Sequence, residues 1–141
     1  RVQDALIPGK PVPSNLVKVS SLYEPLNAVG GDVVTYPVVG EGAFSFLLGD
    51  VCGHGISASL YTLLVKHLAD SAFRSCRWMP GKAFEQIGLQ LRQLLQSGFV
   101  TAVGGYVRRV DEGCQLLLSH AGHPHFMHYV AATSQTCLAE P

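Results

Sequence analysis

Between Ile56 and Gln96 the apolar residues recur every three to four positions, while on both sides of that span they come in short runs rich in Val, Phe and Leu. A chain that switches from strand-like to helical periodicity and back, with tight turns joining its strands, is predicted to fold as α+β layers and not as a doubly wound parallel sheet. The first helix is predicted from Ile56 to Ser75, with Ile56, Leu60, Leu63, Leu64, Leu68 and Phe73 as its inward stripe and Ala58, Tyr61 and Val65 widening the apolar surface. The second starts at Pro80, a residue suited to a first helical turn, buries Phe84, Ile87, Leu91, Leu94 and Leu95, and ends at Ser97-Gly98. Strands are predicted at Leu16 to Leu22, Val33 to Val39 and Ala43 to Leu48 before the helices. Three more follow, at Phe99 to Val110, Cys114 to Ser119 and Phe126 to Val130.

At 141 residues, 48% hydrophobic and 14% charged, the chain has the material for one core and is too apolar for a disordered tail. Ten basic residues balance ten acidic ones, so no electrostatic footprint points to nucleic acid or an anionic membrane. The one basic pair, Arg108-Arg109, is followed by Asp111-Glu112 and reads as a solvated hairpin end. No apolar run approaches the roughly 18 residues of a bilayer span, and no segment resembles a signal peptide, which predicts a soluble, cytoplasmic protein. Cys52, Cys76, Cys114 and Cys137 form no C-x-x-C pair and are read as reduced thiols.

The chemistry starts with an arithmetic of pairing. If Gly40-Glu41-Gly42 is the loop of a hairpin, Val39 faces Ala43 and every cross-strand pair has residue numbers that sum to 82, so Asp32 faces Asp50. Opposed residues hold their Cβ atoms about 4.5–5.5 Å apart, and like charges there are destabilising unless something compensates. A bound cation or a proton shared between the carboxylates would do so. Hard oxygen ligands suit Mg²⁺ or Mn²⁺, and Gly30-Gly31 and Gly49 leave room beside them. A slip of one residue, or a bulge at Pro37, would put the two acids on different faces and leave them as ordinary turn residues flanked by glycine.

Other constellations are weaker. Gly30-Gly31 with Gly53-His54-Gly55 could cradle a phosphate, but no G-x-G-x-x-G and no P-loop lysine is present. Gly55-Ile56-Ser57-Ala58-Ser59 lacks the second glycine of a nucleophile elbow, so Ser57 reads as a first-turn helix residue. His120, His123, His125 and His128 suggest a metal cluster by number alone. Strand alternation would let His123 and His125 meet while His128 points away, and Gly122 and Pro124 interrupt the strand.

Taken in order, Val29-Gly30-Gly31-Asp32, Gly49-Asp50-Val51-Cys52-Gly53-His54-Gly55, Phe99-Val100-Thr101-Ala102 and Ala121-Gly122-His123-Pro124 resemble the PP2C-type (PPM) metal-dependent protein phosphatases, in their bacterial RsbU/SpoIIE branch. The resemblance covers nearly the whole chain. It implies a layered sandwich of antiparallel sheets flanked by helices, and a two-metal Mn²⁺ or Mg²⁺ site that activates water against a phosphoserine or phosphothreonine. It implies Asp32 as a terminal ligand of one metal, Asp50 as the carboxylate bridging both, and the Val51 carbonyl as a further ligand. The two helices would be the pair that relays regulation to the site. The substrate implied is a phosphorylated anti-anti-sigma-type protein in sigma-factor or stress signalling. Gln3 and Leu6 to Pro8 look like the end of a linker helix from an upstream receiver or sensor domain. Residues 1–10 would then belong to that linker and residues 11–141 to the phosphatase domain. The apolar helix pair could also support a homodimer.

The sequence departs from the family pattern at three points. Cys52 stands where eukaryotic members carry a proposed acid histidine, so no acid role passes to His54. Val33-Val34 replaces aromatic residues. After His128 the only acid is Glu140, so the aspartates that complete a second metal are not in this chain, which reads as a C-terminally incomplete copy. The alternative reading is a non-catalytic, phosphatase-like output domain, similar to the RssB adaptors, that binds a sigma factor or its antagonist. Retention of both acids favours the enzyme.

Overall fold

The computed structural model describes residues 9–11, 13–24, 30–53, 56–95 and 98–139. The predicted linker helix of residues 1–7, together with His54, Gly55 and Glu140, lies outside the described residues. Strands β1 (Asp32–Thr35), β2 (Ala43–Val51), β3 (Val100–Val110) and β4 (Gly113–Ala121) form one antiparallel sheet in chain order. Helices α1 (Ile56–Ser75) and α2 (Pro80–Leu94) sit between β2 and β3 in the chain. A second, two-stranded sheet pairs β5 (Phe126–Val130) with β6 (Gln135–Ala139). This is the predicted α+β architecture of antiparallel sheets and a helix pair.

Alternation along the strands divides the sheet into two unlike faces. Val33, Leu47, Val51, Ala102 and Tyr106 point to one side and join the core, where α1 lies over β1 and β2 and α2 lies over β3 and β4. Asp32, Val34, Phe46, Leu48, Asp50, Thr101 and Val103 alternate onto the other face. Residues 17–22 pass across this second face and leave an apolar groove of about 520 Å³ beneath them. The strand predicted at Leu16 to Leu22 is therefore not formed, because that segment lies over the sheet and not along an edge where a ladder could accept it.

The helices are found where the period places them, but rotated. In α1 the buried residues are Ala58, Ser59, Thr62, Val65, Leu68, Ala69, Ala72 and Phe73, whereas Leu60 is 58% exposed. Alanines at 58, 69 and 72 let the helix backbone approach the sheet closely, which turns the bulkier Leu60 outward. In α2 the buried line is Ala83, Ile87 and Leu91, and Leu94 is 53% exposed. Tyr106 closes the junction between the helices from below. Its hydroxyl donates to the carbonyl of Phe73 at 2.8 Å, an acceptor that the end of α1 leaves open, and shares that proton with the carbonyl of Cys76 at 3.0 Å, which also accepts from the Met79 N–H at 2.9 Å. Trp78 then turns the chain with φ +69°, a conformation costing a non-glycine residue on the order of 1–3 kcal/mol. It is held there by the Tyr106 ring at 5.7 Å and by Arg77 and Arg108 at 4.7 and 5.3 Å from its ring centroid.

β3 and β4 meet at a two-residue turn, Asp111-Glu112, with Val110 facing Gly113, so the solvated hairpin end is where the sequence places it. β6 was not predicted. Thr133 and Ser134 close a short hairpin from Val130, and five residues follow as a strand. The four cysteines are free thiols. Among the described residues, no helix is long and apolar enough to cross a membrane.

Candidate metal centre

The register of β1 and β2 is the one that the turn predicts: Asp32 faces Asp50, Val33 faces Gly49, Val34 faces Leu48 and Thr35 faces Leu47. Local chemistry fixes it at both ends. At the turn, Gly40 and Gly42 take φ values of +102° and +67°, which a side chain would resist. Pro37 has no N–H for the ladder, and the Ser45 hydroxyl opposite it donates to the Pro37 carbonyl at 2.6 Å. At the other end the Val51 N–H donates to the Gly31 carbonyl at 3.0 Å, extending the same register one step past Asp32.

Asp32 and Asp50 are both exposed, on the sheet face away from the helices. Their ladder neighbours across the strands are each other and Thr101, so no cationic side chain stands opposite either one. Gly31 is built into the site. A Cβ there would collide with the Val51 carbonyl oxygen and lie 3.3 Å from an Asp50 carboxylate oxygen. The missing side chain thus leaves open the space on which a peptide oxygen and a carboxylate oxygen converge. Two carboxylates and a carbonyl are the donor set that a hard divalent cation accepts, and this arrangement fits one. Among the described residues, no cluster of three or more acidic, histidine or cysteine side chains forms.

Three further residues reach this end of the sheet. Thr101 on β3 faces Asp50 and extends the row of acids by one strand. Its hydroxyl is 2.9 Å from Nδ1 of His123, which comes from the loop after β4. Gly122, at φ +64°, turns that loop and bridges to Ala102. Tyr23 lies near Asp32: burial first, and then the negative charge of Asp32, push its phenol above the ordinary value, so it stays protonated. Neither the Thr101–His123 contact nor Tyr23 was legible from spacing. The contact itself lies within the β3–β4 hairpin, and its placement beside Asp50 needs the pairing of β2 with β3, which are separated by two helices.

Among the described residues, the histidine cluster suggested by number alone does not form. Residues 123–125 are not in a strand, so His123 and His125 do not share a face; His120 packs against His125 instead, with ring centroids 5.9 Å apart. Ser57 lies in the first turn of α1, as its context predicts. Cys52 is exposed, and its N–H donates to the Phe99 carbonyl at 2.9 Å, carrying the β2–β3 ladder one pair beyond Val51.

A family model, Stage II sporulation protein E (SpoIIE), matches residues 40–141, a span that includes Asp50, Val51, Thr101 and His123. Among solved structures, the crystal structure of the RsbU and RsbW domains of Rv1364c from Mycobacterium tuberculosis is similar with a TM-score of 0.67 and 23% sequence identity. The match covers 84% of this chain and 32% of that one, and it shows the fold. No curated protein sequence matches. Because the family model spans well over half of its length, the chain belongs to the SpoIIE family, in the RsbU/SpoIIE branch of PP2C-type phosphatase domains.

Proposed function

We propose that this domain is a Mn²⁺- or Mg²⁺-dependent phosphatase acting on phosphoserine or phosphothreonine in a protein substrate, with Asp32, Asp50 and the Val51 carbonyl as metal ligands. The observation that carries this reading is the facing of Asp32 and Asp50 on an exposed sheet end, with the Val51 oxygen directed into the space beside Gly31. Opposed carboxylates without a cationic neighbour are unfavourable by themselves, and a divalent ion converts that repulsion into a binding site. When bound, such an ion lowers the pKa of a water molecule and offsets charge on the phosphoryl oxygens. The protein's part is to hold the donors in register. The β1–β2 ladder fixes both Cα positions, and Gly31 keeps the space clear. In this reading no protein nucleophile is required, and water takes that part.

By family membership, the substrate proposed is an anti-anti-sigma-type phosphoprotein in sigma-factor or stress control. Residues 11–141 are read as the phosphatase domain, and residues 1–10 as the end of a linker helix from an upstream receiver or sensor domain. Hydrolysis of p-nitrophenyl phosphate with added Mn²⁺ tests the enzyme. Asp50→Asn is expected to lower the rate at least a hundredfold. Equal rates in the two proteins would reject the metal mechanism and leave the adaptor reading, in which the domain binds a sigma factor or its antagonist without turnover.

A further inference from the structure

The row Asp32, Asp50, Thr101 does not stop at the sheet. Thr101 Oγ1 and His123 Nδ1 are 2.9 Å apart in a partly buried contact, and the bridge from Gly122 to Ala102 ties the histidine's loop to the same strand. One ring nitrogen of His123 is therefore engaged, and Nε2 is the nitrogen left for another partner. We infer that His123, set by Thr101, is an oxyanion-binding residue of this site. The Thr101 hydroxyl donates to Nδ1, the ring proton resides on Nε2, and Nε2–H donates to a phosphoryl oxygen of a phosphate monoester. The inference rests on the phosphatase reading for its ligand class.

The physical need is plain. In the phosphatase reading the cation offsets charge on the phosphoryl oxygens, but no Lys or Arg stands opposite Asp32 or Asp50 in the ladder to add a hydrogen-bond donor. A neutral imidazole with its proton fixed on Nε2 donates a hydrogen bond to an anion without itself having to be charged. Thr101 is then a positioning residue that selects the tautomer, in the way hydrogen bonds to one ring nitrogen fix the role of the other. His120 is not an equivalent candidate. It stands opposite Val103, one alternate row further along the face, and packs its ring on His125.

The test reads the imidazole directly. In ¹⁵N-labelled protein with Mg²⁺, long-range ¹H–¹⁵N correlations of His123 are expected to show the Nε2–H tautomer, and inorganic phosphate is expected to shift Nε2 while Nδ1 stays in place. Thr101→Val keeps the shape but removes the hydroxyl; it should abolish the tautomer preference and weaken phosphate binding by about tenfold, one charge-assisted hydrogen bond's worth. Thr101→Ser should restore both. An Nε2 resonance that ignores phosphate, or a Thr101→Val protein that behaves as wild type, overturns the inference. Kinetics separate its failure from that of the parent reading. If Asp50→Asn silences p-nitrophenyl phosphate hydrolysis while His123→Ala leaves kcat and KM unchanged, the phosphatase stands and this assignment falls. If Asp50→Asn has no effect, the phosphatase falls, and the phosphate titration still decides whether His123 binds an oxyanion.

Discussion

Gly31 has only a hydrogen where any other residue would place a carbon against the Val51 carbonyl and 3.3 Å from Asp50. Gly31→Ala is therefore expected to act twice. Relieving the overlap moves the end of β2, at about 1–3 kcal/mol of stability, and displaces two of the three proposed metal donors. Mn²⁺ affinity should fall at least tenfold by calorimetry, together with a lower urea midpoint; an alanine variant with unchanged affinity would remove Gly31 from the site. Tyr106 makes a second prediction at this scale. Burial first, and then the electrostatic influence of Cys76, push its phenol well above the ordinary value of 10.0, so the folded protein holds that proton where the unfolded chain releases it. Between those two values the native state binds more protons, and stability must fall as pH rises above about 10, while below that value the residue contributes no slope. Tyr106→Phe loses the bonds to Phe73 and Cys76, at about 1–2 kcal/mol near neutrality. It should also show a shallower alkaline decline. Urea midpoints at pH 8 and pH 11, compared between the two proteins, check both parts.

At the scale of elements, α2 offers a control far from the chemistry. Gly88 lies inside this helix, and a Cβ there meets no atom within 4 Å. Gly88→Ala should stabilise the protein by about 0.5–1 kcal/mol, seen as a higher urea midpoint with no change in Mn²⁺ affinity. The same helices show where a sequence stops informing. Their limits were legible, because Pro80 and the return of three- and four-residue spacing are local signals. Their rotation was not. Leu60 sits on the apolar stripe by spacing yet faces outward, because Ala58, Ala69 and Ala72 set a closer approach on a neighbouring line, and only the sheet beneath decides between the two. The β1–β2 pairing was legible for the opposite reason: its loop is short, and the register follows from counting. Thr101 and His123 meet within the β3–β4 hairpin, but their placement beside Asp50 was out of reach, since it depends on the pairing of β2 with β3 across two helices. Residues 16–22 alternate like a strand, but the segment is laid over a sheet face and has no edge to join.

Across the whole molecule the sheet separates two tasks. One face carries the core and the helix pair; the other carries an apolar groove and, at its end, the acids, Thr101 and the loop of His123. Regulation proposed for the helices would therefore have to reach the acids through the strands themselves, chiefly through β2, which places Leu47 and Val51 in the core and Asp50 on the far side. The proposed phosphatase chemistry depends on one claim, that the facing of Asp32 and Asp50 makes a cation site. Mn²⁺ binding measured by electron paramagnetic resonance tests it without any substrate. The wild-type protein should take up Mn²⁺ and quench the free-ion signal, and Asp32→Asn and Asp50→Asn should each weaken that uptake at least tenfold. Uptake of equal affinity in all three proteins would contradict the claim.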